Sequence, residues 1–156
     1  MTSDVRFRDV VEADFPVLFE HQRDPDGVRM AAFPSRDTDA FVAHWTKILG
    51  DETVTAKAIV VDGQVAGHVG SWGPPGERNI GYWIGKEYWG RGLATRAVSE
   101  LLRIDETRPL YAHVAKHNVG SLRVLEKCGF AISGEATVAS VVRGGDIEEF
   151  ILVLGA

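Results

Sequence analysis

Two glycines, Gly90 and Gly92, lie in a turn between an apolar stretch and an amphipathic stretch of the sequence. This turn is the part of the chain whose residue types best suit the binding of a ligand. Residues 80–84 before it are typical of a β-strand. Residues 93–102 after it repeat apolar side chains every three to four positions, as a helix with one buried face does. The first turn of a helix leaves backbone N–H groups unpaired and carries partial positive charge, and glycine allows close approach to the backbone. The pattern therefore predicts an anion site, best matched to phosphate.

Two common phosphate-binding motifs do not fit this turn. A Walker loop requires a lysine after its last glycine, and none follows Gly92. A dinucleotide-binding fingerprint requires a third glycine where this chain has Thr95. The turn is therefore expected to bind phosphate through a motif other than these two.

The elements around the turn follow the order strand, two helices, three strands, helix, strand, helix, two strands. The spacing predicts strands over residues 5–8, 53–61, 64–72, 79–84, 110–114, 130–142 and 147–154. It predicts helices over residues 14–22, 38–49, 93–108 and 119–128. Residues 24–34, which begin Asp-Pro-Asp-Gly, are interpreted as a turn followed by a loop. A helix between the fourth and fifth strands implies that these two strands are parallel.

Length and composition limit the function classes. The 156 residues are expected to form one domain, residues 1–156, with a substantial core. A net charge of −5 argues against a nucleic-acid-binding protein. We find neither the apolar core of a signal peptide nor an apolar run long enough to span a membrane. Cys128 is the single cysteine, so an internal disulfide is excluded. A soluble cytoplasmic protein without nucleic-acid or membrane partners is expected.

The glycine turn resembles the acyl-CoA loop of the GNAT acetyltransferases, Gln/Arg-x-x-Gly-x-Gly/Ala. That pattern ends here in Gly92-Leu93-Ala94, and Trp89 stands at its first position. The longer string from Gly81 to Thr95 is similar to the branch that includes ribosomal-protein N-terminal acetyltransferases (the Rim-type branch), where this tryptophan is usual.

A second segment strengthens the resemblance. Residues 118–130 are similar to the family's Asn-x-x-Ser…Glu-Lys-x-Gly-Phe motif, almost position for position. Asn118 is also a good cap for the helix that follows it. The charged residues of this helix, Arg123, Glu126 and Lys127, are interpreted as solvated.

The resemblance implies an α+β GNAT fold: a mixed seven-stranded sheet with four helices, in which strands 4 and 5 are parallel and splayed. It implies acetyl-CoA as cosubstrate and no metal, with the pantetheine arm between the splayed strands. The residues expected to bind the cofactor are Ile84, Gly90, Arg91, Gly92, Leu93, Ala94, Thr95 and Asn118.

Direct attack of an amine on the thioester requires a base, an oxyanion donor and a group beside the departing sulfur. The family often has a glutamate within the fourth strand, but that strand contains no acid here. Glu77 just before it and His113 on the next strand are the candidate bases, and His68 is a further strand histidine. Leu125 replaces the tyrosine that many members use as acid. Ser121 matches a serine of the Rim-type branch and is expected to orient the sulfur.

Three functions stay open from the sequence. The first is an acetyl-CoA-dependent N-acetyltransferase acting on a protein N-terminus or a small-molecule amine. The second is an acetyltransferase that modifies antibiotics or polyamines. The third is an acyl-CoA-binding sensor without turnover, suggested by the missing acid and tyrosine. A homodimer is also expected, paired through an edge of the C-terminal hairpin whose last strand carries residues 150–154.

Overall fold

The computed structural model describes residues 4–31, 36–140 and 145–155, which contain one mixed sheet of seven strands in the spatial order β1-β2-β3-β4-β5-β7-β6. The strands are β1 (Val5–Asp9), β2 (Thr55–Val61), β3 (Gln64–Trp72), β4 (Asn79–Ile84), β5 (Leu110–Ala115), β6 (Ala131–Ser140) and β7 (Gly145–Leu154). Neighbouring strands are antiparallel except β4 and β5, which are parallel. The expected sheet is therefore confirmed. The predicted hairpin turn falls partly on residues 141–144, which lie outside the described residues.

Five α-helices flank the sheet within the described residues. They are α1 (Phe15–Arg23), α2 (Pro25–Ala31), α3 (Thr38–Leu49), α4 (Leu93–Ile104) and α5 (Val119–Lys127). Short 3-10 segments, Glu12–Asp14 and Lys86–Tyr88, precede α1 and follow β4. Four of the α-helices are those expected from the sequence.

Helix α2 is the addition, and it replaces the loop predicted from residue 25 onward. Asp24 accepts a hydrogen bond from the backbone N–H of Gly27 at 3.2 Å. Pro25 occupies the first helical position, where its missing N–H costs nothing. The Asp-Pro pair therefore ends α1 and starts a new helix, so the loop prediction is wrong over 25–31. The rest of that predicted loop, residues 32–35, lies outside the described residues.

Helix α4 ends at Ile104, earlier than the boundary near Arg108-Pro109 that the sequence predicts. Asp105 leaves the helical conformation, with φ −100° and ψ 103°. One of its carboxylate oxygens bonds Arg78, and the other accepts the backbone N–H of Thr107 at 3.0 Å. A tertiary contact ends this helix before proline can do so.

The two faces of the sheet carry separate apolar clusters. Helices α4 and α5 cover one face, where Val98, Leu101 and Leu125 pack with Ile80 and Leu110. Helices α1 and α3 cover part of the other face; the buried residues there include Phe15, Leu18, Phe41, Trp45 and Ala58. Burial of apolar surface contributes about 25 cal/mol of stabilising free energy per Å². These clusters therefore hold the helices against the sheet.

Strands β4 and β5 touch at one end and separate toward the other. Of the residues described, Asn79 and Tyr111 form the single register pair between them. The backbone N–H of Tyr111 also donates to the carbonyl of Arg78 at 2.9 Å. Beyond this point β4 follows β3 and β5 follows β7, so a gap opens toward Ile84. The splaying expected of strands 4 and 5 is present.

A buried ion pair fastens the closed end of this gap. Arg78 Nε donates to Asp105 Oδ2 at 2.6 Å, and the hydroxyl of Ser71 donates to the same oxygen at 2.6 Å. The other guanidinium nitrogens donate to the carbonyls of Gly73 at 2.7 Å and Thr53 at 2.8 Å. Burial alone raises the pKa of Asp105, but the hydrogen bonds from Ser71, Arg78 and Thr107 outweigh it and hold the pKa well below its usual range.

Candidate active site

A cavity of about 520 Å³ opens between β4, the turn that follows it and α5. Helix α2 also contributes to its lining. Its lining consists of Gly27, Met30, Tyr82, Trp83, Ile84, Tyr88, Trp89, Gly90, Gly92, Leu93, Ala94, Thr95, Asn118, Gly120, Ser121, Arg123, Val124 and Lys127.

The glycine turn forms one wall of the cavity. Gly90 and Gly92 have φ of +79° and +73°, a left-handed conformation that favours glycine. Gly92 is the N-cap of α4, and a Cβ added at either glycine would meet no atom within 4 Å. The space beside these glycines is therefore open. The N–H groups of the first helical turn have no partner within the helix, and the helix end carries partial positive charge. This geometry suits a phosphate group.

Two tryptophans hold the turn and β4 in place. The indole Nε1 of Trp89 donates to the carbonyl of Ile84 at 2.9 Å, which gives the residue at the Gln/Arg position of the motif a structural role. The indole Nε1 of Trp83 donates to the carbonyl of His21 at 3.1 Å. The ring of Trp83 also lies close to Gly27, where an added Cβ would be 3.1 Å from it. Trp83 thus links the cavity to α1 and α2.

The start of α5 forms the opposite wall. Asn118 Oδ1 accepts the backbone N–H of Ser121 at 3.3 Å, as the predicted cap requires. Arg123 and Lys127 lie in the cavity lining, although the sequence predicts solvated charges at both positions. Both residues are spaced three to four positions from Gly120 and Val124, which places all four along one side of the helix. This spacing is the sequence signal that could have placed Arg123 and Lys127 at the cavity.

Tyr82 and Ser121 meet inside the cavity, with their oxygens 2.7 Å apart. Ile80, Tyr82 and Ile84 alternate along β4 and so face α4 and α5 together. Burial raises the pKa of Tyr82, the hydrogen bond with Ser121 opposes this, and Cys128 adds to the increase. Tyr82 is not among the site residues predicted from the sequence, although strand alternation and the predicted helix contain the information needed to place it.

Seven of the eight residues predicted to bind the cofactor line this cavity; the exception is Arg91. Its guanidinium lies 5.3 Å from the ring centre of Tyr88, which is itself in the lining. Arg91 therefore stands beside the turn, with its charge stacked on an aromatic face.

The two candidate bases lie apart from the cavity lining. Glu77 is exposed at the end of β4 remote from the glycine turn, where it does not reach inward, so we do not retain it as a base. His113 alternates with the core residues Ala112 and Val114 and therefore faces the other side of the sheet. Its Nδ1 lies 2.9 Å from Glu149 Oε1. The structure thus brings His113 to a carboxylate partner rather than to Ser121.

His68 belongs to a histidine group on the face covered by α1 and α3. It packs edge-on against Trp45, with ring centres 4.9 Å apart. Burial lowers its pKa to about 4, and His21 and His44 add to the effect. Burial also lowers the pKa of His21, which Glu87 partly offsets. His68 is therefore neutral at physiological pH and part of the packing.

Two further features concern the described residues as a whole. We find no group of three or more histidine, cysteine, aspartate or glutamate side chains placed to hold a metal ion there. No helix in the same residues combines the length and apolar character needed to cross a membrane.

Comparison with known proteins gives a consistent picture. A family model described as "Acetyltransferase (GNAT) domain" matches residues 4–131. No curated protein matches the chain. Solved structures share the fold at low identity, among them a spermidine N-acetyltransferase from Vibrio cholerae in complex with CoA and spermine. Its TM-score is 0.86 at 16% identity, covering 97% of this chain and 95% of that one.

Two further structures are similar over nearly the whole chain. The RimL ribosomal L7/L12 alpha-N-protein acetyltransferase in complex with CoA has a TM-score of 0.84 at 15% identity, covering 97% of this chain and 93% of that one. A phosphinothricin acetyltransferase from Sinorhizobium meliloti in complex with AcCoA has a TM-score of 0.82 at 16% identity, with coverages of 99% and 89%.

Proposed function

Because the chain belongs to the acetyltransferase (GNAT) family, we propose that it transfers the acetyl group of acetyl-CoA to a primary amine by direct attack. The observation that carries the proposal is the cavity between the glycine turn and α5, whose lining includes Tyr82, Trp83 and Ile84 at the end of β4 that separates from β5. Such a shape fits an extended cosubstrate with phosphates at one end and a thioester at the other.

The cavity offers a separate set of groups to each part of acetyl-CoA. The N–H groups from Gly92 to Thr95 face the pyrophosphate. Arg91, Arg123 and Lys127 add positive charge around a polyanionic ligand. The pantetheine arm lies along the gap, with the backbone near Ile84 and the side chain of Asn118 as its hydrogen-bonding partners. No metal is part of this proposal.

The reaction needs proton handling on both sides of the thioester. A C–N bond forms, the C–S bond breaks, the amine loses one proton and the thiolate gains one. A thioester in the gap is reachable from both faces of the sheet, because β4 and β5 share one register pair in the described residues. We assign Ser121 to the sulfur side. We assign His113, oriented by Glu149, to the amine side as base.

The acceptor is a protein N-terminus or a small-molecule amine. Fold neighbours include a spermidine acetyltransferase and a ribosomal-protein acetyltransferase, which represent the two classes. Release of CoA thiol should be followed over a panel of polyamines, antibiotic amines and N-terminal peptides. We expect turnover with at least one class. Binding of acetyl-CoA without turnover across the panel would instead support an acyl-CoA sensor and overturn the proposal.

We expect His113→Gln to lower turnover about hundredfold, at the low end for a general base, because the glutamine amide cannot take up the proton of the amine. The measurement is the turnover number with saturating acetyl-CoA, with His44→Gln as control because His44 lies on α3 away from the gap. Equal turnover of His113→Gln and the wild type would remove His113 from the mechanism.

We extend the proposal to assembly and location. The free edge of the C-terminal hairpin is β6, because β7 lies between β5 and β6. Exposed Ile132 and Val138 on β6 favour pairing through that edge. Light scattering should give twice the chain mass of 17.0 kDa, and a mass of one chain would reject the homodimer.

A cytoplasmic location is proposed from the single cysteine.

A further inference from the structure

The hydroxyl pair of Tyr82 and Ser121 carries an inference that rests on the proposed acetyl transfer. The two oxygens are 2.7 Å apart, and both side chains line the cavity. We propose that Tyr82 is a positioning residue: it donates its hydrogen bond to Ser121 and thereby directs the serine hydroxyl hydrogen toward the thioester sulfur.

The direction of the hydrogen bonds follows from counting hydrogens. A serine hydroxyl has one hydrogen and can donate once, but it can accept at the same time. If Ser121 donates to sulfur, its bond with Tyr82 must be one in which the phenol donates. The backbone of Ser121 is fixed in the first turn of α5, where its N–H donates to Asn118. A bond donated by Tyr82 then restricts the rotation of the serine hydroxyl and strengthens the bond that Ser121 makes.

Relative acidity disfavours a full proton relay through this pair. A free thiol has a pKa of about 8.5 and a phenol of about 10, so transfer from phenol to thiolate is unfavourable. Burial raises the pKa of Tyr82 and widens this difference. When the C–S bond breaks, its electron pair goes to sulfur and the Ser121 hydrogen bond stabilises the thiolate. The thiolate then takes a proton from solvent, which receives the proton that the amine loses.

The first test measures the thiol of bound CoA and requires no acceptor. Thiolate ultraviolet absorbance is titrated against pH in a Cys128→Ala background, so that CoA supplies the only thiol. The charged groups in the lining, Arg123 and Lys127, stay in place in every variant. We expect Tyr82→Phe and Ser121→Ala each to lower the thiolate fraction at a fixed pH about tenfold, as loss of one bond to a charged group does. The double variant should lose no more than either single one.

The second test follows turnover. With acetyl-CoA and the best amine of the panel, Tyr82→Phe and Ser121→Ala should each lower kcat by about tenfold to a hundredfold with little change in KM for acetyl-CoA. Ser121→Thr, which keeps a hydroxyl, should restore most of the rate. Tyr111→Phe removes a phenol from the opposite face of β5 and should match the wild type.

The outcomes separate this inference from the proposed function. Turnover by the wild type together with an unchanged bound-thiol titration in Tyr82→Phe would overturn the role of Tyr82 and leave acetyl transfer standing. Losses from Tyr82→Phe and Ser121→Ala that add in the double variant would also overturn it, because independent groups add. An absence of turnover over the whole panel would overturn the proposed function, whatever the thiol titration gives.

Discussion

Gly92→Glu is expected to abolish acetyl-CoA binding while the protein stays folded. The side chain would extend from the N-cap of α4 into the open space where the pyrophosphate is proposed to sit. Its carboxylate would occupy the anion site and repel the phosphates. We expect the affinity to fall by at least about a hundredfold, equivalent to about 2.8 kcal/mol. Titration calorimetry with acetyl-CoA measures this directly.

The control must carry the same backbone strain without touching the cavity. Gly76→Glu meets this requirement, because Gly76 also has a positive φ, of +89°, and no atom within 4 Å of an added Cβ. It lies in the exposed turn before β4, away from the cavity lining. Both variants should therefore lose similar stability, and Gly76→Glu should bind acetyl-CoA normally. A folded Gly92→Glu protein with wild-type affinity would contradict the cofactor assignment.

Asp105→Ala is expected to have the largest effect on stability. It leaves the guanidinium of Arg78 buried without its counter-charge, and it removes the acceptor of the Ser71 hydroxyl. Breaking one side of a buried ion pair typically costs about 3–5 kcal/mol of unfolding free energy. Urea denaturation followed by circular dichroism measures the change.

An exposed ion pair in the C-terminal part of α4, just before Asp105, provides the comparison. Glu100 pairs with Arg103 at the surface of α4, so Glu100→Ala should change the urea midpoint little. Equal midpoints for Asp105→Ala and Glu100→Ala would show that the Arg78 network does not stabilise the closed end of the gap.

The Asp105 carboxylate also makes the stability of the protein depend on pH. The pKa of Asp105 is lower in the folded protein than in the unfolded chain, so the unfolded chain takes up its proton first as pH falls. The stabilisation is present above the unfolded pKa of about 3.9 and is lost as pH decreases toward the folded pKa. The difference in the free energy of unfolding between the wild type and Asp105→Ala should therefore become smaller only at acidic pH.

Local signals in the sequence were sufficient for much of the fold. The bounds of α3, β3 and β4 agree with those predicted, because caps, turn residues and apolar periodicity point to the same ends there. Asn118 acts as the predicted cap for the same reason. Helix α2 is not predicted from the sequence, because Asp-Pro can both end one helix and begin another, and the end of the first helix alone indicates a loop.

The arrangement of the site was harder to predict, because it depends on which residues share a face across distant elements. Tyr82 and Ser121 are separated by 39 positions and meet only through the parallel placement of β4 and the return of α5 over it. The early end of α4 likewise depends on Arg78, which precedes Asp105 by 27 positions. The spacing of residues along the chain does not directly indicate which distant residues are in contact.

The single register pair between β4 and β5 has a thermodynamic consequence. The facing edges of these strands carry backbone N–H and C=O groups that pair with no strand beyond Asn79 and Tyr111 in the described part of the chain. Buried backbone groups of this kind require partners, and an extended ligand with amides of its own can supply them as an added strand does. The pantetheine arm of acetyl-CoA, in the placement proposed above, is such a ligand. The sheet would then be complete only in the complex. The melting temperature should therefore rise with cosubstrate concentration, and the free energy of unfolding should increase by about 2.7 kcal/mol at a hundred times Kd.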